Sequence, residues 1–269
     1  MKKSILKIFL AHILAMVALN GCASVPTPTP STFTPSPAPS TVTHTSISTS
    51  IPLPSATPIS IPTETVNVSS IPILVSPFYD SEGIQINVGN YSQELKTNDI
   101  DELLLVAQEM AYQKEKLTPE QMFVLSIRLY DLGDKENSVY WFYEAQFRAH
   151  LFVNSLDPTR IGGIGDPAFE LRAAYIAFME LAGGYINAFA GCDLDKWIDT
   201  AKMVKNDNPK PPELDNIFPK VAFVDSDQWQ QINNDVAAGL DDLANYISDN
   251  KEYIKSERAA NNLDAQFCE

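Results

Sequence analysis

Fifty residues of this chain, 23–72, are built almost wholly of proline, serine, threonine and small aliphatic side chains, and they cannot be part of a packed core. Runs such as Val25-Pro26-Thr27-Pro28-Thr29-Pro30 and Thr34-Pro35-Ser36-Pro37-Ala38-Pro39 carry little to bury, and Glu64 is the one formally charged residue among the fifty. Such a stretch does not bury enough apolar surface to offset the entropy of ordering it. Proline at this density favours polyproline II, rising ~3.1 Å per residue, so an extended segment of this length reaches ~100 Å or more. The expectation is a disordered Pro/Ser/Thr-rich stalk. Any globular fold must come from what remains beyond residue 70, and about 200 residues suffice for one domain with a real core.

The chain begins Met1-Lys2-Lys3-Ser4-Ile5-Leu6-Lys7, a positive end without acids. An apolar run over 8–19 follows, interrupted only by His12. It is short for a membrane span, which needs ~20 apolar residues, and suits the core of a signal peptide. The run ends in Leu19-Asn20-Gly21-Cys22. Leu19, Gly21 and Cys22 resemble the lipobox of bacterial lipoproteins, with Asn20 a departure the family tolerates. The resemblance implies removal of residues 1–21 and a lipid on Cys22. Ala23 is not the aspartate that retains many such proteins at the inner membrane, so the outer membrane is expected in a cell with two, and the cell surface otherwise. The chain thus divides into a signal peptide (1–21), a lipidated cysteine with its linker (22–70) and a globular domain (71–269).

Acidity narrows the partners. The formal net charge is −15, and loss of Lys2, Lys3 and Lys7 with the signal makes it −18. A domain of this sign repels nucleic acid and anionic lipid head groups, so nucleic-acid binding is excluded. Of three cysteines, Cys192 and Cys268 remain beside Cys22. In an oxidising compartment they are the pair expected to bridge; the alternative is a buried free Cys192 and a frayed Cys268. Neither lies in a C-x-x-C motif, and His150 is the single histidine beyond residue 70, so no metal and no cofactor are expected.

Hydrophobic patterning makes the domain mainly α. A β-branched run at 71–75 and the alternation over 83–89 predict a short N-terminal β-hairpin. From there the pattern is helical. Ile100, Leu103, Leu104, Ala107, Met110 and Ala111 fall at helical spacing. Thr118-Pro119-Glu120-Gln121 is a capping box with proline at the first helical position, and Gly133 ends that helix. Asp134 caps a third helix to about residue 152, apolar on nearly every side and therefore central. A fourth runs from Asp166-Pro167 to Ala182, stopping before Gly183-Gly184. Asp193 caps a fifth, ending near Asn206, and a last long helix carries Trp229, Ile232, Val236, Leu240, Leu243 and Ile247 on one stripe.

Within the second and third helices, Leu125, Ser126, Gly133, Ser138, Phe142 and Ala145 resemble the signature positions of a tetratricopeptide repeat. Leu129 stands at the usual tyrosine and His150 at the usual proline, and no second copy follows at that period. The resemblance implies one repeat-type helical hairpin inside a globular helical domain. More loosely, residues 78–200 resemble a group of uncharacterised bacterial exported proteins.

No catalytic residue is assigned. His150, with Glu144 or the acids near Asp157, could act as a general base, but its place in an apolar helix reads as structural. The glycines of 161–165 precede Asp166, whose carboxylate would occupy the helix N-terminus and repel a phosphate. Arg128/Asp131 and Glu144/Arg148 are spaced as intrahelical pairs. Facing a groove beside Trp141, Arg128 and Arg148 would instead make a partner-binding surface, since Trp and Arg dominate interface hot spots. The function expected is a membrane-tethered lipoprotein whose helical domain binds a protein partner in the cell envelope. The alternatives are an envelope hydrolase whose carboxylates or serines only folding brings together, and a small-molecule or peptide receptor beside the aromatic helix.

Overall fold

The computed structural model describes Tyr91 and residues 93–268. The expected signal peptide, the expected stalk, Cys22 and the predicted β-hairpin lie outside the described residues. What is described is mainly helical, and among these residues the only β pairing is an isolated antiparallel bridge, Leu156 to Phe223.

Helix α1 (Ile100–Tyr112) starts at Asp99, whose carboxylate accepts from the backbone of Asp101 and Glu102. Helix α2 (Pro119–Asp131) carries the full capping box, Thr118 and Gln121 each bonding the other's backbone amide. Helix α3 (Lys135–Ser155) is capped by Asp134 and runs three residues beyond the expected end. Between them Gly133 takes φ +96°, the left-handed conformation that turns the chain back. Small residues set the closeness of this pair: Ser126 Oγ donates to Ser138 O at 2.8 Å, both side chains fully buried.

Around α3 the remaining helices assemble. It packs against α2, against α4 (Pro167–Ala190), against α5 (Leu194–Asp207) and against α7 (Trp229–Asp249). This central position follows from its composition, with Trp141, Phe142, Tyr143, Phe147 and Phe152 buried on different sides. Helices α5 and α7 form a second close pair, tied by Lys205 Nζ to Asp241 Oδ2 at 2.7 Å and by Asn233 Nδ2 donating to Asn208 O at 2.9 Å. Where α3 ends, Phe152, Tyr175, Phe218, Phe223 and Trp229 make a chain of edge-to-face rings. The bridge at Leu156 holds the 218–224 segment over them.

One expectation is overturned. Helix α4 continues through Gly183-Gly184 to Ala190. Glycine costs ~1 kcal/mol per helix-interior position relative to alanine. Continuing the helix buries Ile186 and Ala190 and brings Asn187 Oδ1 within 2.9 Å of the Tyr143 hydroxyl, and this tertiary gain prevails. Beyond α7 come elements the stripe pattern did not announce, α8 (Lys251–Ala260) and α9 (Asp264–Phe267); a four-residue helix α6 (Leu214–Ile217) precedes α7. Cys192, which follows the α4 cap Gly191 and stands just before Asp193, is bonded to Cys268, directly after α9. Both are exposed, so Cys192 is not a core thiol.

Candidate groove between α1, α3 and α5

An apolar groove of about 570 Å³ runs between α1 and α5, with α3 as its floor. The α1 wall is made by Leu104, Ala107 and Ala111, the α5 wall by Trp197, Thr200 and Met203. Val139 and Trp141 line the floor, and Phe189 and Ala190 close the side where α4 ends. Helical spacing makes the α1 wall: Leu103 and Met110 point into the core, residues one position on, Leu104 and Ala111, face the groove, and the buried Ala107 lies on the boundary between the two faces. The rim is apolar and open to solvent, with Leu104 38% and Met203 53% exposed. Leu105 and Tyr112 are further exposed apolar side chains of α1, outside the groove.

Polar groups sit at both ends. At one, Glu136 of α3 and Lys196 of α5 pair at 2.5 Å across the opening, and the bond to Glu136 holds the Lys196 amine above its ordinary pKa. At the other, the Tyr140 hydroxyl donates to Asp207 Oδ2 at 2.7 Å, and Lys114 Nζ lies 3.4 Å from the same hydroxyl. Burial, reinforced by Glu144 and Asp207, pushes the Tyr140 phenol far up, so it stays a neutral donor. Beneath the floor Trp197 Nε1 donates to Tyr143 Oη at 2.8 Å.

Of the residues expected to form a binding surface, only Trp141 reaches this groove. Arg128 is buried: its Nε donates to Leu95 O at 3.2 Å and its Nη2 to Thr97 O at 2.7 Å and Asn98 Oδ1 at 2.9 Å. It clamps the segment before α1 onto α2. Arg148 is buried too, its Nε 3.2 Å from Glu144 Oε1. The arginine face expected beside Trp141 is therefore corrected to two internal clamps. The i, i+4 spacing gave the pairing of Glu144 with Arg148 but not their depth, because α3 has no solvent side along this stretch.

Glu144 is fully buried and is held by Arg148, by Lys114 Nζ at 3.4 Å and by Asn208 Nδ2 at 2.7 Å. A carboxylate so enclosed works as a structural centre joining α3, the α1–α2 turn and the end of α5. Glu120, in the first turn of α2, lies against Tyr175 of α4, and burial raises its carboxyl pKa. His150 is half-buried on α3. At the glycine-rich loop, Asp166 accepts from Ala168 N and Phe169 N and fills the α4 N-terminus with its own carboxylate. Among the described residues no group of three His, Cys, Asp or Glu is placed to hold a metal ion, and no helix is long and apolar enough to cross a membrane.

Sequence reasoning missed the groove, yet its signal is present. The run Leu103-Leu104-Leu105-Val106 supplies more apolar surface than the buried stripe of one helix uses, and the surplus becomes the wall and, outside the groove, the exposed Leu105.

The chain is similar to an uncharacterised protein of Haemophilus influenzae, 23% identical over 210 residues that cover 75% of this chain and 79% of the relative. No protein-family model and no solved structure matches it.

Proposed function

We propose that this protein is a lipid-anchored envelope protein that binds an apolar, basically flanked segment of a partner protein in the α1–α3–α5 groove. The observation that carries the reading is the groove itself: an apolar channel floored by Trp141, whose rim leaves Leu104 and Met203 in water. Exposed contiguous apolar surface rimmed by polar groups marks interaction sites. The charge of −15, with Asp193 beside the Glu136–Lys196 pair at one end of the groove, favours basic residues beside the apolar ones.

The tether reading rests on Lys2, Lys3 and Lys7, the apolar run after them and Cys22 at its end, in lipobox order. The Pro/Ser/Thr composition of 23–70 supports a spacer between that anchor and the helical domain. The α2–α3 hairpin supports kinship with a tetratricopeptide unit in its small-residue contact at Ser126 and Ser138 and its turn at Gly133. Mass spectrometry of membrane-extracted protein is expected to find an acylated N-terminal Cys22. Unchanged processing and membrane attachment of Cys22→Ala would refute the tether.

Binding is tested with synthetic amphipathic peptides carrying leucines at i, i+3 and i+7 between lysines, titrated while Trp141 and Trp197 fluorescence is followed. Each buried leucine-sized contact is worth about 1.5–3 kcal/mol, so Leu104→Gln or Met203→Gln, which add no charge, should weaken binding about tenfold or more. Both positions are exposed, so the fold should survive. Equal affinity in wild type and both variants would refute the groove as the binding site. Saturation by a small apolar solute and by no peptide would favour a small-molecule receptor instead, for which a volume of ~300–1,000 Å³ is ordinary.

A further inference from the structure

The bond between Cys192 and Cys268 is set up unlike a buried structural crosslink. Both cysteines are exposed. The guanidinium of Arg258 lies against both sulfurs, Nη2 at 3.3 Å from Cys192 Sγ and 3.2 Å from Cys268 Sγ. That guanidinium is fixed by groups other than the sulfurs: Nη1 donates to Ala188 O at 2.8 Å and Nε to Asp264 Oδ1 at 2.8 Å. Gly191 makes room for it, since a Cβ there would stand 2.3 Å from Nη1. A positive charge therefore lies against both sulfurs when an incoming thiolate attacks the bond.

Apart from the bond, the segment is held chiefly by Arg258, whose Nη1 reaches Ala188 O of α4. Among residues 251–268 Arg258 is the one buried side chain. Ile254 is half-buried against the core and the Phe267 ring lies 6.4 Å from that of Tyr185. Lys251 pairs with Asp195, an exposed contact. Exposed pairs of this kind contribute ~0–1 kcal/mol.

We propose that Cys192–Cys268 is a thiol–disulfide exchange site, at which an external dithiol reductant releases the C-terminal segment α8–α9 from α4 and α5. The two sulfurs differ. Arg258 Nη2 lies against both, but Asp264 Oδ1 stands 3.5 Å from Cys268 Sγ and disfavours a thiolate there, which leaves Cys192 the better leaving sulfur. The incoming thiolate attacks Cys268 Sγ, the Sγ–Sγ bond breaks, and its electron pair leaves on Cys192 beside Arg258. The reductant's second thiolate then attacks its own sulfur in the mixed disulfide and expels Cys268, which takes up a proton. The dithiol becomes a disulfide and its two electrons pass to the two cysteines; of its two protons one is taken up by Cys268 and the other goes to water, Cys192 leaving as a thiolate. A leaving thiol of lowered pKa departs faster, and exposed disulfides are the labile ones.

The test uses the full oxidised chain. Dithiothreitol at pH 7 without denaturant is expected to reduce the bond, as counted by alkylated thiols. Arg258→Gln should slow that reduction about fivefold or more, and Arg258→Lys should recover part of the rate, because a thiolate beside a cation is the better leaving group. Trypsin should then cut the reduced protein at Lys251 or Lys255 and leave the rest intact, with circular dichroism nearly unchanged. Cys268→Ser, which lacks the bond from the start, should be cut at the same sites without reductant. A bond reducible only in denaturant, an Arg258→Gln rate equal to wild type, or a reduced segment as protected as the oxidised one would each overturn the proposal.

Discussion

Glu120 is the clearest case of a single side chain at odds with its surroundings. It occupies the first turn of α2, where an acid is favoured by the helix dipole, but burial beside Tyr175 lifts its carboxyl pKa above 4.5. The native carboxyl therefore holds its proton to higher pH than the unfolded chain does. Between the ordinary value and the raised one the unfolded chain binds fewer protons, so this group makes stability fall as pH rises through that window. Glu120→Gln, neutral throughout, should be more stable than wild type at pH 7 and about equal to it at ~pH 4, where the native carboxyl is protonated. Urea denaturation at the two pH values measures this, and a variant less stable at pH 7 would contradict it. The Glu144–Arg148 pair behaves in the opposite sense. Exposed, it would be worth ~0.2–0.5 kcal/mol. Buried as it is, Arg148→Ala leaves Glu144 without its guanidinium and should cost about 3–5 kcal/mol. A loss under 1 kcal/mol would show that water reaches the pair.

Helix ends in this protein are set by local chemistry, and helix extent by packing. Asp99, Thr118, Asp134, Asp166 and Asp193 each accept from backbone amides of the turn they open. All of these starts follow from residue type and spacing. Gly133 is the matching stop between α2 and α3. A Cβ there would meet nothing within 4 Å, so Gly133→Ala tests backbone strain alone. At φ +96° the variant should lose about 1–2 kcal/mol, read as a lower urea midpoint at unchanged slope. No loss would mean that the turn adopts another conformation. The glycines of α4 mark the other side of the rule. Gly183-Gly184 lowers helix propensity, but propensity is a weak local term, and packing of Ile186 and Asn187 against the rest of the bundle overrides it.

Across the molecule, one hydroxyl joins three helices. Tyr143 of α3 receives the Trp197 indole N–H from α5 at 2.8 Å and gives its proton to Asn187 of α4 at 2.9 Å. Burial holds the phenol neutral far beyond its ordinary pKa. Tyr143→Phe leaves the indole N–H and the amide oxygen without partners, each worth ~1–3 kcal/mol when buried, so about 2 kcal/mol or more should be lost. Near-UV circular dichroism of the tryptophans should change and far-UV should not. A loss below 0.5 kcal/mol would indicate that water replaces the phenol.

The helical class, the capping box at Thr118, the central place of α3 and the turn at Gly133 were legible in residue order, because each depends on groups within about four positions along the chain. Asp166 at the mouth of the glycine-rich loop could likewise be read as filling its own helix N-terminus. Tertiary structure decided what depends on which helix stands beside which. It buried Arg128 and Arg148 and carried α4 through two glycines. It drew Leu104, Trp141 and Met203 from three helices into one groove, and it set Arg258 against Cys192 and Cys268. The physical reason is the same in each case. Hydrogen bonds at a helix end are local, whereas burial, and with it the worth of a charge or an apolar side chain, is a property of neighbours far away in sequence.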